Sequence, residues 1–333
     1  MPGDTDREWL ETDGLGGYAS GTVAGTRTRR YHALLVMAMT PPTRRVVLVN
    51  GFDAWLATSA GCYALSSQLY LPDVTHPDGA RRIVDFSRNP WPRWTFRVED
   101  GTVVEQEIFM VRGTNAVVAS WRLVTRGVQA VLTVRPYLSG RDHHALHHEN
   151  PHFCFDANLK DGCTIWQPYP HLPPIISRSN ATYVHEAYWY RNFQYNEERE
   201  RGLDFVEDLA SPGILRWNLN HEEAFWMLAT GTHPGCAARA KPLLEVVEQT
   251  RRRQRRRRFS RSALDDAADA YIVRRGKGKS IIAGYPWFSD WGRDTSIRMG
   301  LATGSDANQM ASSQPVRRGC RLLGWTPSLM GMW

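Results

Sequence analysis

An antiparallel β-sandwich that gives way to helices is the fold class the sequence predicts. Three observations predict it. From Tyr31 to about Arg135 the chain is made of short apolar or alternating runs, as strands with one buried face require. Turn residues separate those runs at the spacing of a sandwich. After His233-Pro234-Gly235 the period of the apolar positions changes from 2 to 3.6, the repeat of a helix. The 333 residues correspond to about two domains, and the change of period puts a boundary near residues 235–240.

Each element has its own warrant. Residues 1–30 are rich in Gly and Thr and read as loop. Ala33 to Met39 and Val46 to Val49 are apolar runs on either side of Pro41-Pro42. Arg93 to Glu99 and Thr102 to Met110 flank Asp100-Gly101, a strong hairpin signal. Ala116 to Val124 is followed by Arg126-Gly127 and by Val128 to Arg135. In that last run Val128, Ala130, Leu132 and Val134 share one face, and Gln129, Thr133 and Arg135 the other, as on a sheet with one wet side. Further strands are predicted near Ile214–Leu219 and Ala224–Ala229. Lys241 to about Arg258 reads as a helix with Leu243, Leu244, Val246 and Val247 on its apolar side. A second helix begins at Ser262, with Asp265 three residues on to complete a capping box. Leu264, Ala267, Ala268, Tyr271 and Ile272 form its apolar stripe, Arg274 and Arg275 suit its C-terminal dipole, and Gly276 its C-cap.

Composition excludes several classes. A 42% hydrophobic and 23% charged chain is ordinary for a globular protein. The longest apolar stretch, Ala33–Met39, is far short of the ~20 residues of a membrane helix. No secretory h-region follows the N-terminal Met. The five cysteines are odd in number and scattered, with no Cys-x2-Cys pair, so a reducing, cytoplasmic setting is expected. Net charge is +7, yet seven arginines lie between Arg251 and Arg258, and without them 34 Lys and Arg face 34 Asp and Glu. That local run reads as a solvated helix end or linker. A nucleic-acid patch is the alternative, and it lacks the distributed basic face such domains show.

Several residues can carry chemistry. Thirteen tryptophans either fill a sheet core or offer flat faces to sugar rings. His143, His144, His147 and His148 have helical metal-ligand spacing but no HExxH pattern. Gly14 and Gly16 superficially resemble a dinucleotide fingerprint, and lack the preceding strand and following helix. The densest segment is Tyr285–Thr295. It combines Trp287, Phe288 and Trp291 with Asp290, Asp294 and Arg293, so charge-assisted hydrogen bonds to hydroxyls meet stacking surfaces. Trp287, Asp290, Trp291, Arg293 and Asp294 are the candidate sugar-binding residues. A buried Arg–Asp pair at a helix start is the bland alternative.

Three blocks then carry a family resemblance. They are Glu8-Trp9-Leu10 through Gly14–Val23 to Thr28-Arg29-Arg30-Tyr31-His32; Trp189–Phe193 through Glu197–Asp204 to Glu207-Asp208-Leu209; and Ile282–Thr295. Arg141-Asp142 and His144-Ala145-Leu146 add to them. The chain resembles glycogen debranching enzymes of the bacterial and archaeal type, the amylo-α-1,6-glucosidase family, over roughly residues 7–301. The resemblance implies a mainly β N-terminal sandwich over 1–235, then a linker helix and the first helices of an incomplete (α/α)6 barrel over 236–304. It implies an α-glucan substrate (glycogen or limit dextrin), hydrolysis of α-1,6 branches and no cofactor. Trp291-Gly292-Arg293-Asp294 resembles the Trp-Thr-Arg-Asp stretch of glucoamylases, which implies that Arg293 and Asp294 hold a glucosyl unit and are not the acid and base.

The resemblance stops near Gly304, and 305–333 reads as a non-family tail, as in a truncated or frameshifted chain. A glycosidase needs two carboxylates across the scissile bond, and the family would place them in the rest of the barrel. The chain is therefore expected to lack catalytic residues, with a non-catalytic α-glucan-binding module as the alternative. Unpartnered helices would expose apolar faces, so residues beyond about 240 are expected to pack poorly.

Overall fold

The computed structural model describes residues 7–231, 243–259 and 262–291. In chain order its strands are β1 (Glu8–Thr12), β2 (Tyr18–Thr22), β3 (Ala33–Thr40), β4 (Thr43–Thr58), β5 (Gly61–Ala64), β6 (Ser67–Tyr70), β7 (Val74–Asp78), β8 (Ile83–Ser87), β9 (Arg93–Arg97) and β10 (Val103–Val111). They continue as β11 (Ala116–Leu123), β12 (Ala130–Asp142), β13 (Ala157–Lys160), β14 (Cys163–Trp166), β15 (Ile175–Ser179), β16 (Thr182–Gln194), β17 (Val206–Asn218) and β18 (Ala224–Thr230), then β19 (Ile272–Arg275) and β20 (Gly278–Ile281). Helices are α1 (Asn196–Glu200), α2 (Leu243–Phe259) and α3 (Ala263–Tyr271).

Among the described residues the strands form two large antiparallel sheets and one hairpin. The first sheet runs β1-β2-β3-β4-β12-β17-β16-β6-β7, with β5 on β4; the second runs β13-β14-β15-β18-β11-β10-β9-β8. The expected sandwich is therefore present. Alternation on β12 falls as read: Ala130, Leu132 and Val134 are buried, while Val131 is 41% exposed. The Asp100-Gly101 hairpin is there too, with Gly101 at φ 87°, a value that favours glycine.

Between the sheets lies one apolar core, to which Leu35, Leu56, Leu132 and Leu215 contribute from the first sheet and Trp94, Ile108, Trp121 and Trp226 from the second. Tryptophan fills this space. While Trp91 is buried on the outer side of the second sheet, Trp9, Trp94, Trp121, Trp166, Trp217 and Trp226 are all buried in this core. Indole N–H groups find partners there, Trp121 donating to Gln106 Oε1 at 2.8 Å and Trp94 to the Val23 carbonyl at 2.9 Å, as buried aromatic N–H groups must.

Four expectations are corrected. Residues 7–30 are not all loop: 13–17 and 23–30 are irregular as expected, but β1 and β2 pair along their whole length, and β2 is buried throughout. Their glycines mark close approach. At Gly17 a Cβ would stand 2.4 Å from Asp13 Oδ2 and 2.5 Å from the Val36 carbonyl. The second correction concerns α3. Its capping box forms, with Ser262 Oγ accepting from Asp265 N, but the helix stops at Tyr271. Ile272 opens a strand, Arg274 and Arg275 lie in it, and Gly276 sits in the β19–β20 turn at φ 57°. Two β-branched residues, Ile272 and Val273, favour the strand.

Third, the arginine run is not simply solvated. α2 docks on the outer side of the second sheet, with Val247 among Trp91, Phe109, Val118 and Phe225. Arg251 and Gln254 share that face and are buried. Arg251 pairs with Glu107 at 3.0 Å and Glu248 at 2.8 Å, pairs with Glu223, and donates to Ser120 Oγ at 2.8 Å. Gln254 donates to the Met110 carbonyl at 2.7 Å. Arg252, Arg253, Arg255 and Arg256 remain exposed.

Fourth, residues 243–291 are not loosely held where described. Val273, Ile282 and Tyr285 pack with Tyr18, Ala33, Val36 and Val47 on the first sheet. Arg112 bonds Asp269 Oδ1 at 3.2 Å and the Ile272 carbonyl at 3.3 Å. No helix among the described residues is long and apolar enough to cross a membrane.

Because Val247 is the fully buried contact between α2 and the sheet, Val247→Asp should undock the helix while the sandwich stays folded. The expected result is tryptic cleavage within 251–257 accelerated at least about tenfold, since ~1.4 kcal/mol of local stability is tenfold in open population. Circular dichroism of the β signal should be unchanged.

Candidate functional site

The three sequence blocks, distant along the chain, converge on Trp287. The Arg29 guanidinium lies 5.4 Å over its ring and that of Arg201 5.9 Å over it, while Tyr31 meets it edge-on at 6.3 Å. Arg29 is itself fixed by Glu8 at 2.6 Å and Glu197 at 3.1 Å. Burial acts to raise the Glu8 carboxyl, but His32 and Arg29 beside it outweigh burial and hold it at about 2. Tyr31 shares a hydrogen bond of 3.1 Å with His144 Nδ1. Residues near 30, 144, 200 and 287 thus form one assembly.

Beneath it lies a buried ion pair. Arg141, at the end of β12, takes both carboxylate oxygens of Glu207 on β17, and both residues are buried. The pair is fully dressed. Glu207 also accepts from Tyr195 Oη, from Asn50 Nδ2 at 3.4 Å and from the His147 backbone N at 3.2 Å, while Arg141 donates to the Arg30 carbonyl at 2.6 Å. These bonds pull 30, 50, 141–147, 195 and 207 into register.

Arg45 on β4 supports the segment after β20. Its Nε donates to the Gly16 carbonyl at 2.8 Å and its Nη1 to the Pro286 carbonyl at 3.0 Å. Its guanidinium lies 4.8 Å over Tyr285. The Gly16 loop is folded around Asp13, whose Oδ1 accepts from Leu15 N at 2.6 Å and Gly17 N at 3.0 Å. Gly16 has φ 101°, and a Cβ there would meet the Pro42 carbonyl at 2.6 Å. Burial pushes the Asp13 carboxyl up to about 7, against those two N–H groups, Arg112 and Arg45.

Between these supports opens a groove of about 410 Å³, lined by Thr43, Arg44, Arg45, Asp142, His143, His144, Trp287, Phe288, Ser289 and Trp291. Phe288 and Trp291 meet edge-on at 5.8 Å and each is about half exposed. His143 and His144 stack with ring centres 3.8 Å apart. Burial, then His144 and Arg45, lower His143 to about 4, so it is neutral at neutral pH. The groove offers flat apolar faces together with hydrogen-bonding groups, a mixture common in small-molecule sites. A second void of about 70 Å³, inside the sandwich beside Trp9, Arg27 and Gln106, is too small for one.

Of the predicted site residues, Trp287 and Trp291 line the groove. Asp290 is tied to Arg275 at 2.7 Å with its side chain buried. Arg293 and Asp294 lie outside the described residues. The histidine segment is not helical, so its metal-ligand spacing is not realised. Instead His147 bonds Tyr169 Oη at 2.7 Å and the Asp208 carbonyl at 3.0 Å. Among the described residues no group of three His, Cys, Asp or Glu is placed to hold a metal. Sequence reasoning missed Arg29, Tyr31 and Arg45 as site residues, and singled out His143 only as a member of the histidine cluster. Arg29 and Tyr31 stood in the first block; nothing local marked Arg45.

The fold is an antiparallel sandwich that bears a groove lined by aromatic and arginine side chains. The family model of the glycogen debranching enzyme N-terminal part matches residues 7–226, and that of amylo-alpha-1,6-glucosidase matches 266–305. The chain belongs to the glycogen debranching enzyme family. No curated protein matches it. Among solved structures it is similar to a bacterial glucoamylase complexed with acarbose, at 8% identity and TM-score 0.34 over 80% of this chain and 37% of that one. It is also similar to a human-microbiome protein assigned as a kojibiose phosphorylase, at 8% identity and TM-score 0.30 over 78% and 34%. The chain thus spans about a third of the length of these structures.

Two outcomes follow. Arg141→Met strands Glu207 uncompensated and should cost about 3–5 kcal/mol, read as a lower urea midpoint. Asp13 keeps its proton in the folded chain up to about pH 7, while the unfolded chain releases it near 4. The folded state then binds more protons in that window, so stability falls as pH rises from 4 to 7. Asp13→Asn keeps the Oδ1 acceptor and cannot ionise. Urea midpoints across pH 4–7 should lose that component, on the order of 1.4 kcal/mol per pH unit at most.

Proposed function

We propose that the chain is the glucan-holding part of a glycosidase of the debranching type, whose complete form hydrolyses α-1,6 branch linkages in glycogen or limit dextrin. The observation that carries this reading is the convergence of the three blocks on Trp287, beside a groove with exposed aromatic faces. Sugar rings present apolar C–H faces that stack on such surfaces. Arg293 and Asp294 follow directly after the groove segment and would add charge-assisted bonds to the bound glucosyl unit.

The domain organisation that fits is a sandwich over 1–235, the start of the helical glycosidase domain over 236–304 and a separate tail over 305–333. The last sandwich strand ends at Thr230 and α2 begins at Leu243, in support of that division. Cys62, Cys154 and Cys163 are free thiols, which fits a cytoplasmic setting.

Glycoside hydrolysis needs an acid and a second carboxylate roughly 5–9.5 Å apart. Among the described residues lining the groove, Asp142 is the one carboxylate. Asp290 is held by Arg275. We therefore read this chain as binding α-glucan without cutting it, which also favours the binding-module alternative. In a native gel cast with glycogen the purified chain should be retarded, and Trp291→Ala should restore most of its mobility. Limit dextrin incubated with the chain should yield no glucose. Turnover by pure protein, or unretarded migration, would count against the reading.

A further inference from the structure

We infer that Arg45 and His143, both supplied by the sandwich, form a polar wall of the groove beside its tryptophans and hold hydroxyls of one glucosyl unit. This rests on the α-glucan reading above and extends it to residues that lie far from the Trp287–Asp294 segment. Arg45 is 1% exposed. Two of its three guanidinium nitrogens are satisfied inside the protein, by the Gly16 and Pro286 carbonyls. The third, Nη2, is buried with no hydrogen-bond partner, and so is His143 Nδ1. Both residues line the same groove. Buried polar atoms are almost always paired, and leaving one unpaired costs about 1–3 kcal/mol. Two such atoms beside one cavity are a wall waiting for ligand oxygens.

The chemistry selects a neutral hydroxylated ring. His143 Nδ1 stands 3.7 Å from Asp142 Oδ1, and it donates or accepts according to the tautomer. Arg45 Nη2 donates. A sugar hydroxyl both accepts and donates, so adjacent hydroxyls can satisfy the two. An inorganic anion can accept from Arg45, but would sit beside the Asp142 carboxylate. Trp291 and Phe288 cover the C–H face. A cavity of about 410 Å³ falls within the usual range of small-ligand sites.

The test uses the full 333-residue chain and maltotriose. Calorimetric titration should show Arg45→Lys and His143→Leu each weakening binding about tenfold, the effect of roughly one lost hydrogen bond, with Trp291→Ala weakening it as well. Because Arg45 also supports the Gly16 loop, a second readout needs no variant. In the wild-type chain the imidazole 15N signal of His143 should move on adding maltotriose and stay still on adding inorganic phosphate. If Trp291→Ala weakens binding while both wall variants match wild type and the His143 signal is static, the wall is refuted and the glucan reading survives. If phosphate rather than maltotriose moves the signal, the site is an anion site. Absence of any maltotriose binding by the wild-type chain would bring down both readings together.

Discussion

The Arg141–Glu207 pair is the constraint around which the site is arranged. Burying two charges costs several kcal/mol per ion, and their attraction repays this only if every remaining lone pair and proton is met. Here the partners that meet them come from four further parts of the chain: Asn50, Tyr195, the His147 backbone and the Arg30 carbonyl. An ion pair with that many witnesses is worth less as stability than as register. It fixes where residue 30 lies against residue 141. Tyr31 and His144, one and three positions further, then meet at hydrogen-bond distance. Trp287 completes the assembly from outside by stacking under Arg29 and Arg201.

Tryptophan serves two ends in this chain. Six sit between the sheets, where their area fills the space and their N–H groups are spent on internal acceptors, and Trp91 is buried under α2. Trp287 and Trp291 lie on the segment that leaves β20, one clamped by cations and the other half exposed. Residue type alone does not separate these groups. Position does in part, because Trp94, Trp121 and Trp217 alternate with polar residues along their strands and Trp226 lies in a strand buried throughout, whereas Trp287 and Trp291 flank serine, aspartate and phenylalanine in an aperiodic run.

That contrast marks how far the sequence reaches. Strands with strict alternation, such as β12, and turns with an obligatory glycine, such as Asp100-Gly101, were legible because the signal is local. The Ser262–Asp265 capping box was legible for the same reason. β1 and β2 were not. Their glycines are there because Pro42, Val36 and Asp13 crowd the backbone, and those neighbours are set by tertiary structure. The arginine run misled in a related way: charge predicts solvent, but Arg251 and Gln254 share the helix face with Val247 and find acceptors across the sheet. At the site, the dense 285–295 segment announced itself, and the wall beside it did not. Arg45 is one arginine in a strand, and only folding shows that one of its nitrogens is left without work.

The cluster joining Tyr18, Ala33, Val36 and Val47 to Val273, Ile282 and Tyr285 also sets a timetable. During synthesis this side of β2 and β3 emerges early, but the hairpin that covers it is encoded more than two hundred residues later. At ≈5–20 residues per second the ribosome takes on the order of ten to fifty seconds to supply the cover. For that interval this face of β2 and β3 has no cover, and it can be closed only once residue 285 has left the exit tunnel.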